Sequence, residues 1–122
     1  MSDKRIEISS EDLPDGVVIV RPVGKLDVFT FTELKKFIAE VCTAKPAVRM
    51  VVDLEQVEYI ASSGWAVLLS QSRMLRRAGG KMVLANMKDE IRGVYEVMNV
   101  ESLLPCAADA ANVKVLLDQT EG

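Results

Sequence analysis

Ile6 and Ile8 alternate with polar neighbours, a period of two that predicts a half-buried strand. Pro14-Asp15-Gly16 then reads as a turn, and Val17-Val18-Ile19-Val20-Arg21-Pro22-Val23 as the second arm of a β-hairpin. Beyond Gly24-Lys25-Leu26-Asp27 the period changes to that of a helix. Thr30-Phe31-Thr32-Glu33 fits a capping box, Phe29 and Leu34 are spaced as its hydrophobic staple, and Phe31, Leu34, Ile38 and Val41 recur on one face. The pattern stops at Ala44-Lys45-Pro46, where proline disfavours helix in the residue before it. Residues 48–54 are apolar almost without interruption, the signature of a strand covered on both faces at the centre of a sheet.

Val57-Glu58-Tyr59-Ile60 extends into Ala61-Ser62-Ser63-Gly64, residues 65–78 read as a helix stopped by Gly79-Gly80, and residues 81–85 as the next strand. Strand, helix and strand in this order form a βαβ unit with parallel strands and a right-handed crossover, so the fold class is α/β. Asp89 is placed to cap a third helix carrying Ile91, Val94, Tyr95 and Met98, with Asn99 as its left-handed stop. Leu103-Leu104 reads as a short strand. Asp109 is placed to cap a last helix with Val113, Leu116 and Leu117 inward, before a polar end at Gln119-Thr120-Glu121-Gly122. No repeat or linker interrupts the chain, and 1–122 is expected to be one domain.

With 49% hydrophobic and 27% charged residues, the 122-residue chain can bury a core and is not a disordered tail. Its net charge of −3 argues against nucleic acid and against a polybasic membrane surface as partners. Histidine is absent, which removes the usual general base, the commonest zinc ligand, and with them Ser–His–Asp and Cys–His catalysis. A hydrolase built on Ser62 or Cys106 would need a lysine or carboxylate base that the sequence does not place. Cys42 and Cys106 suggest neither a metal knuckle nor a disulfide, in keeping with a reducing cytoplasm. Met1-Ser2-Asp3-Lys4-Arg5 has no apolar signal core and no run approaches a membrane span, so no export or insertion is expected. Arg73, Arg76, Arg77 and Lys81 read as a solvated basic cluster at a helix end. Met50, Met74, Met82 and Met98 read as core filling, and Gly79-Gly80 lacks the spacing of a nucleotide-binding loop.

Asp53-Leu54-Glu55-Gln56-Val57, running through Ala61-Ser62-Ser63-Gly64 into Trp65, resembles the D-L-x-x-V and D-S-S-G signature of the STAS domain. Gly24-Lys25-Leu26-Asp27 is similar to that family's G-x-L-D, and Gly79-Gly80-Lys81-Met82-Val83-Leu84 to its G-G-x-hydrophobic strand. The likeness runs over roughly residues 17–118, and three motifs in order weigh more than any one alone. It implies a STAS-type domain, a central mixed sheet of about 4–5 strands with about 4 helices and the βαβ unit at its centre.

The free-standing length is similar to that of bacterial anti-sigma factor antagonists. For such a protein the resemblance implies binding to an anti-sigma factor that is also a serine kinase, release on phosphorylation of the first motif serine, and no catalysis of its own. Carried over, the phosphoacceptor is Ser62, with Ser63 as the alternative, and the partner-binding residues are Asp27, Ser62, Ser63, Gly64 and Trp65. No cofactor or metal is implied, and a monomer in the cytoplasm is expected. The alternative is an accessory STAS subunit of an ABC-type lipid transporter, bound constitutively without phosphorylation. Two departures stand out: Ala61 where the motif has Asp, and Trp65 where a smaller aliphatic residue is usual.

Read from the residues themselves, Ser62 and Ser63 lie at a strand-to-helix turn, so one of them is expected as N-cap. A phosphate there would meet the positive end of the helix dipole. Asp27 reads either as a partner contact or as a loop acid bonding its own backbone ahead of Thr30. Trp65 reads as core or, if exposed beside the serines, as a binding anchor.

Overall fold

The computed structural model of the chain describes residues 6–118. The first two strands, β1 (Ile6–Asp12) and β2 (Val17–Leu26), form the expected antiparallel hairpin, with Ile6 opposite Gly24 and Asp12 opposite Val18. Gly16 closes its turn at φ 85°, a left-handed conformation that glycine adopts without steric cost. There follow α1 (Phe31–Ala44), β3 (Arg49–Asp53), β4 (Val57–Ile60), α2 (Ser62–Arg77), β5 (Lys81–Ala85), α3 (Asp89–Met98) and α4 (Ala110–Asp118). The sheet is mixed, in the order β1-β2-β3-β5. β3 sits at its centre, parallel to β2 on one side and to β5 on the other. β4 continues the line of β3 along β2, pairing with Gly24 to Leu26 while β3 pairs with Val17 to Val20.

Alternate residues of these strands feed two cores, because successive side chains point to opposite faces. Val18, Val20, Met50, Val52, Met82 and Leu84 meet Leu34 and Ile38 of α1, Leu68 and Leu75 of α2, and Ile91 and Tyr95 of α3. Val17, Val51, Val83 and Ala85 meet Leu117 of α4 and Ala107 ahead of that helix. The largely apolar run at 48–54 is thus explained by cover on both faces. Asn99 ends α3 at φ 55°, as its left-handed tolerance predicts. The Asp109 carboxylate accepts the Asn112 N–H at 2.8 Å and caps α4, while the polar end at 119–122 lies outside the described residues.

Elsewhere the structure corrects the sequence reading. Leu103-Leu104 is a turn, with both N–H groups donating to the Val100 carbonyl at 3.0 and 2.8 Å. Their own carbonyls accept side-chain hydroxyls, Ser72 Oγ on Leu103 and Tyr95 Oη on Leu104, both at 2.7 Å, which leaves nothing for a sheet ladder. The strand-like contact lies two residues on, where Cys106 bridges Leu84. Asp89 sits in the first turn of α3, after Lys88 as N-cap. Met74 and Val94 are exposed rather than core, since each points away from the sheet that its helix covers. Lys81 is buried in β5, and Arg76 donates to the Ser102 carbonyl at 3.1 Å, so the basic cluster is only partly solvated.

Gly80, between α2 and β5, is closely packed: a Cβ there would meet the Val48 carbonyl oxygen at 2.4 Å and Leu75 Cδ1 at 2.6 Å. Gly80→Ala is expected to lower stability by ~1–3 kcal/mol through overpacking. Gly93→Ala, in open space within α3, is expected to raise it by roughly 1 kcal/mol through helix propensity. Urea titration of both variants checks the pair, and equal shifts of one sign would contradict this packing. The Tyr95 phenol is pushed up from 10.0 to about 12, chiefly by burial. The folded state therefore holds this proton more tightly than the unfolded one. Its contribution to stability is complete below pH 10 and is lost as pH rises towards 12. A Tyr95→Phe variant, compared with the parent in urea melts across pH 9–12, should lack that part of the alkaline decline.

Candidate partner-binding site

β2 and β4 end side by side, Lys25 opposite Tyr59 and Leu26 opposite Ile60, so the loops that follow them leave the sheet together. The Ala61 N–H donates to the Leu26 carbonyl at 2.8 Å. One turn later Gly64 presses on the same group: a Cβ there would lie 2.6 Å from Leu26 O, 2.9 Å from Leu26 Cβ and 3.0 Å from Ile60 Cγ2. The loop leaving Leu26 therefore begins against the first turn of α2.

That loop is shaped from within by Thr30, which is buried. Its hydroxyl donates to the Lys25 carbonyl at 2.7 Å and accepts the Asp27 N–H at 2.9 Å. Asp27 Oδ1 accepts the Phe29 N–H at 2.9 Å, and the Asp27 carbonyl accepts the N–H groups of Thr30 and Phe31 at 3.1 and 2.9 Å. The capping box is accordingly not formed. Thr30 occupies the N-cap position of α1, but its side chain makes no cap bond because it is engaged with the loop. The staple is absent for the same reason: the loop turns Phe29 outward, 66% exposed, with Val28 exposed beside it. Half-buried Asp27 is the loop acid that bonds its own backbone. A cleft of ≈ 340 Å³ opens alongside, bordered by Lys25, Asp27, Phe29 and Glu58.

Neither serine is the N-cap. That position falls to Ala61, at φ −81° and ψ 171°, because its N–H is taken by β2 and its carbonyl accepts the Trp65 N–H at 3.0 Å. Ser62 and Ser63 are the first two helical residues, Ser62 exposed and Ser63 half-buried. The N–H groups of Ser62, Ser63 and Gly64 precede the first intrahelical bond and have no acceptor within the helix. The first turn contains no acidic residue, so the positive end of the dipole there is not offset by its own helix.

Trp65 is 4% exposed, and its ring lies 6.2 Å from that of Tyr95 at a tilt of 33°. It is core, joining α2 to α3, and as a surface anchor it is ruled out; Gly64 is also buried. The five residues singled out from sequence are thus brought to one corner of the fold, with Ser62 outermost, Asp27 and Ser63 partly accessible, and Gly64 and Trp65 beneath. Sequence reasoning missed the apolar surface around them. Val28, Phe29 and Tyr59 are all exposed. Alternation about Ile60 was the available signal for Tyr59.

Little here suits covalent chemistry. Burial pushes the thiols of Cys42 and Cys106 up, in Cys106 against the opposing effect of Arg92, which keeps both protonated near neutrality. No cluster of metal-ligating side chains occurs among the described residues. No helix among them is long and apolar enough to cross a membrane.

Comparison with known proteins bears on the domain as a whole. The STAS domain family matches residues 12–113. BtrV of Bordetella bronchiseptica is 37% identical over 59 residues, 48% of this chain and only 51% of its own length. The anti-sigma-B factor antagonist of Listeria monocytogenes is 25% identical over 99 residues, 81% of this chain and 84% of that one. Among solved structures, the anti-sigma factor antagonist SpoIIAA in its unphosphorylated form superposes with a TM-score of 0.73. It is 17% identical, over 94% of this chain and 100% of that one. The phosphorylated form of Bacillus SpoIIAA gives 0.66 at 20% identity, over 90% and 99%. At these identities the structural likeness speaks for the fold.

An N-cap alanine leaves the first-turn N–H groups without the side-chain acceptor that Asp would provide. Ala61→Asp is expected to raise stability by ~0.5–2 kcal/mol, read as a higher denaturation midpoint with an unchanged slope. A lower midpoint would show that the cap geometry described here is wrong.

Proposed function

The chain belongs to the STAS domain family, and on that footing we propose that it is a cytoplasmic anti-sigma factor antagonist regulated by phosphorylation of Ser62. In this reading it is a binding module without catalysis of its own, its partner being an anti-sigma factor with serine-kinase activity. The observation that carries the proposal is the setting of Ser62: an exposed hydroxyl at the first position of a helix, above N–H groups with no intrahelical acceptor, beside the exposed Val28, Phe29 and Tyr59.

A phosphoryl group on Ser62 would add about −1.5 to −2 charges at neutral pH. The helix N-terminus offers that charge both dipole and donors, so the fold tolerates it. The effect then falls on the interface. A partner that covers Ser62 while packing on Val28 and Phe29 must either strip water from the phosphate or leave a gap, and a loss of ~1.4 kcal/mol already means a tenfold drop in affinity. Asp27 and Ser63, both partly accessible, extend the contact, and Ser63 is the alternative acceptor. Gly64 serves the surface by letting the two loops approach.

Ala61 supports a second reading, permanent docking as a STAS subunit of an ABC-type lipid transporter, because the motif carboxylate is missing beside the serines. The two readings part on one experiment. Protein recovered from its own host is mapped for phosphate by tandem mass spectrometry, and Ser62→Asp and Ser62→Ala are assayed against the co-purifying partner. The antagonist reading expects phosphate on Ser62, absent in Ser62→Ala, with binding retained in Ser62→Ala and weakened on the order of tenfold or more in Ser62→Asp. Phosphate that persists in Ser62→Ala moves the acceptor to Ser63. An unmodified protein that co-purifies with a membrane transporter and binds equally well as Ser62→Asp overturns the proposal in favour of the second reading.

A further inference from the structure

A groove of ≈ 270 Å³ lies between the later turns of α1 and α2. Ala39, Cys42 and Thr43 of α1 form one wall and Gln71, Met74 and Leu75 of α2 the other, each set at the spacing of three and four residues that puts side chains on one helix face. None of the residues bordering the groove is charged.

Gln71 is out of keeping with the rest of this wall. Thr30, Gln71, Ser72 and Lys81 are the buried polar or charged residues among those described. The hydroxyls of Thr30 and Ser72 donate to carbonyls at 2.7 Å, and Lys81 also has a partner. Gln71 is only 3% exposed, yet its side chain makes no hydrogen bond among the described residues. Nor is its amide sealed off. Among those residues Trp65 Nε1 is the one side-chain polar atom both fully buried and unbonded, so the Gln71 Oε1 and Nε2 open onto the groove that the residue lines. An amide left unpaired at such depth is destabilising, and folded proteins satisfy nearly all such groups. Water is a poor partner for it. The Thr43 hydroxyl already donates to the Ala39 carbonyl at 2.8 Å, the remaining walls are apolar or thiol, and an ordered water needs roughly two to four polar partners.

The chemistry of the walls decides what fits better. A carboxamide donates and accepts in one plane, so its full complement is a second carboxamide, met through two N–H···O bonds. Uncharged walls disfavour a carboxylate or an ammonium, which would lose hydration without gaining a countercharge. Cys42 and Met74 place sulfur on both sides, and polarizable sulfur packs well against aromatic rings. Met74, exposed at the mouth, has the flexibility to fold over such a ring.

We propose that the groove between α1 and α2 binds an uncharged aromatic carboxamide, its amide paired with that of Gln71 and its ring between Cys42 and Met74. This site is separate from the Ser62 corner and does not depend on the function proposed there.

The probe is benzamide, titrated into isotope-labelled protein and followed by NMR. The expected result is a saturable shift of the Gln71 side-chain amide and of backbone amides in residues 39–46 and 71–78, with a dissociation constant on the order of 1 mM for so small a fragment. Gln71→Leu should weaken binding on the order of tenfold or more, and should unfold at an equal or higher urea midpoint because it takes an unpaired amide out of apolar surroundings. Ala78→Leu, a change at an exposed residue that borders the groove, tests the same site by blocking it and should weaken binding as much, whether or not Gln71→Leu folds. N,N-dimethylbenzamide, which cannot donate, and benzoate, which is charged, should bind the parent protein as weakly as benzamide binds the variants. Equal binding of either compound, or of benzamide to the variants, would reduce the groove to general apolar adsorption and overturn the proposal. So would shifts confined to other parts of the chain, or the lack of a saturable shift, which would leave Gln71 with water as its partner.

Discussion

Everything at the Ser62 corner depends on one backbone group, the carbonyl of Leu26. It accepts the Ala61 N–H at 2.8 Å, and Gly64 lies so close to it that a Cβ would come within 2.6 Å. This contact places the end of a strand against the beginning of a helix with no side chain between them. Two loops far apart in sequence thereby become one surface. Glycine is required at Gly64 for clearance, since its φ is unexceptional and the space is what is missing.

The sheet supplies the rigidity that such a junction needs. β3 is enclosed by parallel neighbours and by helices on both faces, and the residues of the larger core that it contributes, Met50 and Val52, are fully buried. Cover becomes thinner away from that centre. Three helices protect one face, a single short helix protects the other, and β1 closes the sheet with an open edge. The unequal cover separates a stable interior from two surfaces with different chemistry: an apolar corner around a hydroxyl at a helix N-terminus, and a groove of mixed charge beside the edge strand β1.

At the first of these surfaces the distinction between binding and folding is clear in physical terms. The first turn of α2 offers N–H groups to an anion without needing one, since the helix is held by Val67, Leu68 and Leu75 in the core. A charge added to Ser62 would alter what the surface can touch far more than what the chain folds into. Trp65 contributes from below, its ring against Tyr95, by fixing α3 to the start of α2.

Local pattern determined the class and every element except the short strand expected at Leu103-Leu104. The hairpin, the doubly covered strand at 48–54, the glycine stop after α2, the left-handed Asn99 and the Asp109 cap all follow from local sterics and hydrogen bonding, which a sequence carries within a few residues. The motifs at Gly24, Asp53 and Gly79 likewise marked where the family likeness lies. Tertiary structure decided which group each polar side chain would find. Thr30 has the spacing of a capping box, but the Lys25 carbonyl and Asp27 N–H claim its hydroxyl. Ser62 has the composition of a cap, but the bond from Ala61 to Leu26 sets the helix start one residue earlier. Phe29, Met74 and Val94 have the spacing of core residues, but exposure depends on what another part of the chain brings to that face. Local pattern determines which conformations a segment prefers, whereas long-range contacts determine which of its atoms remain available to a partner.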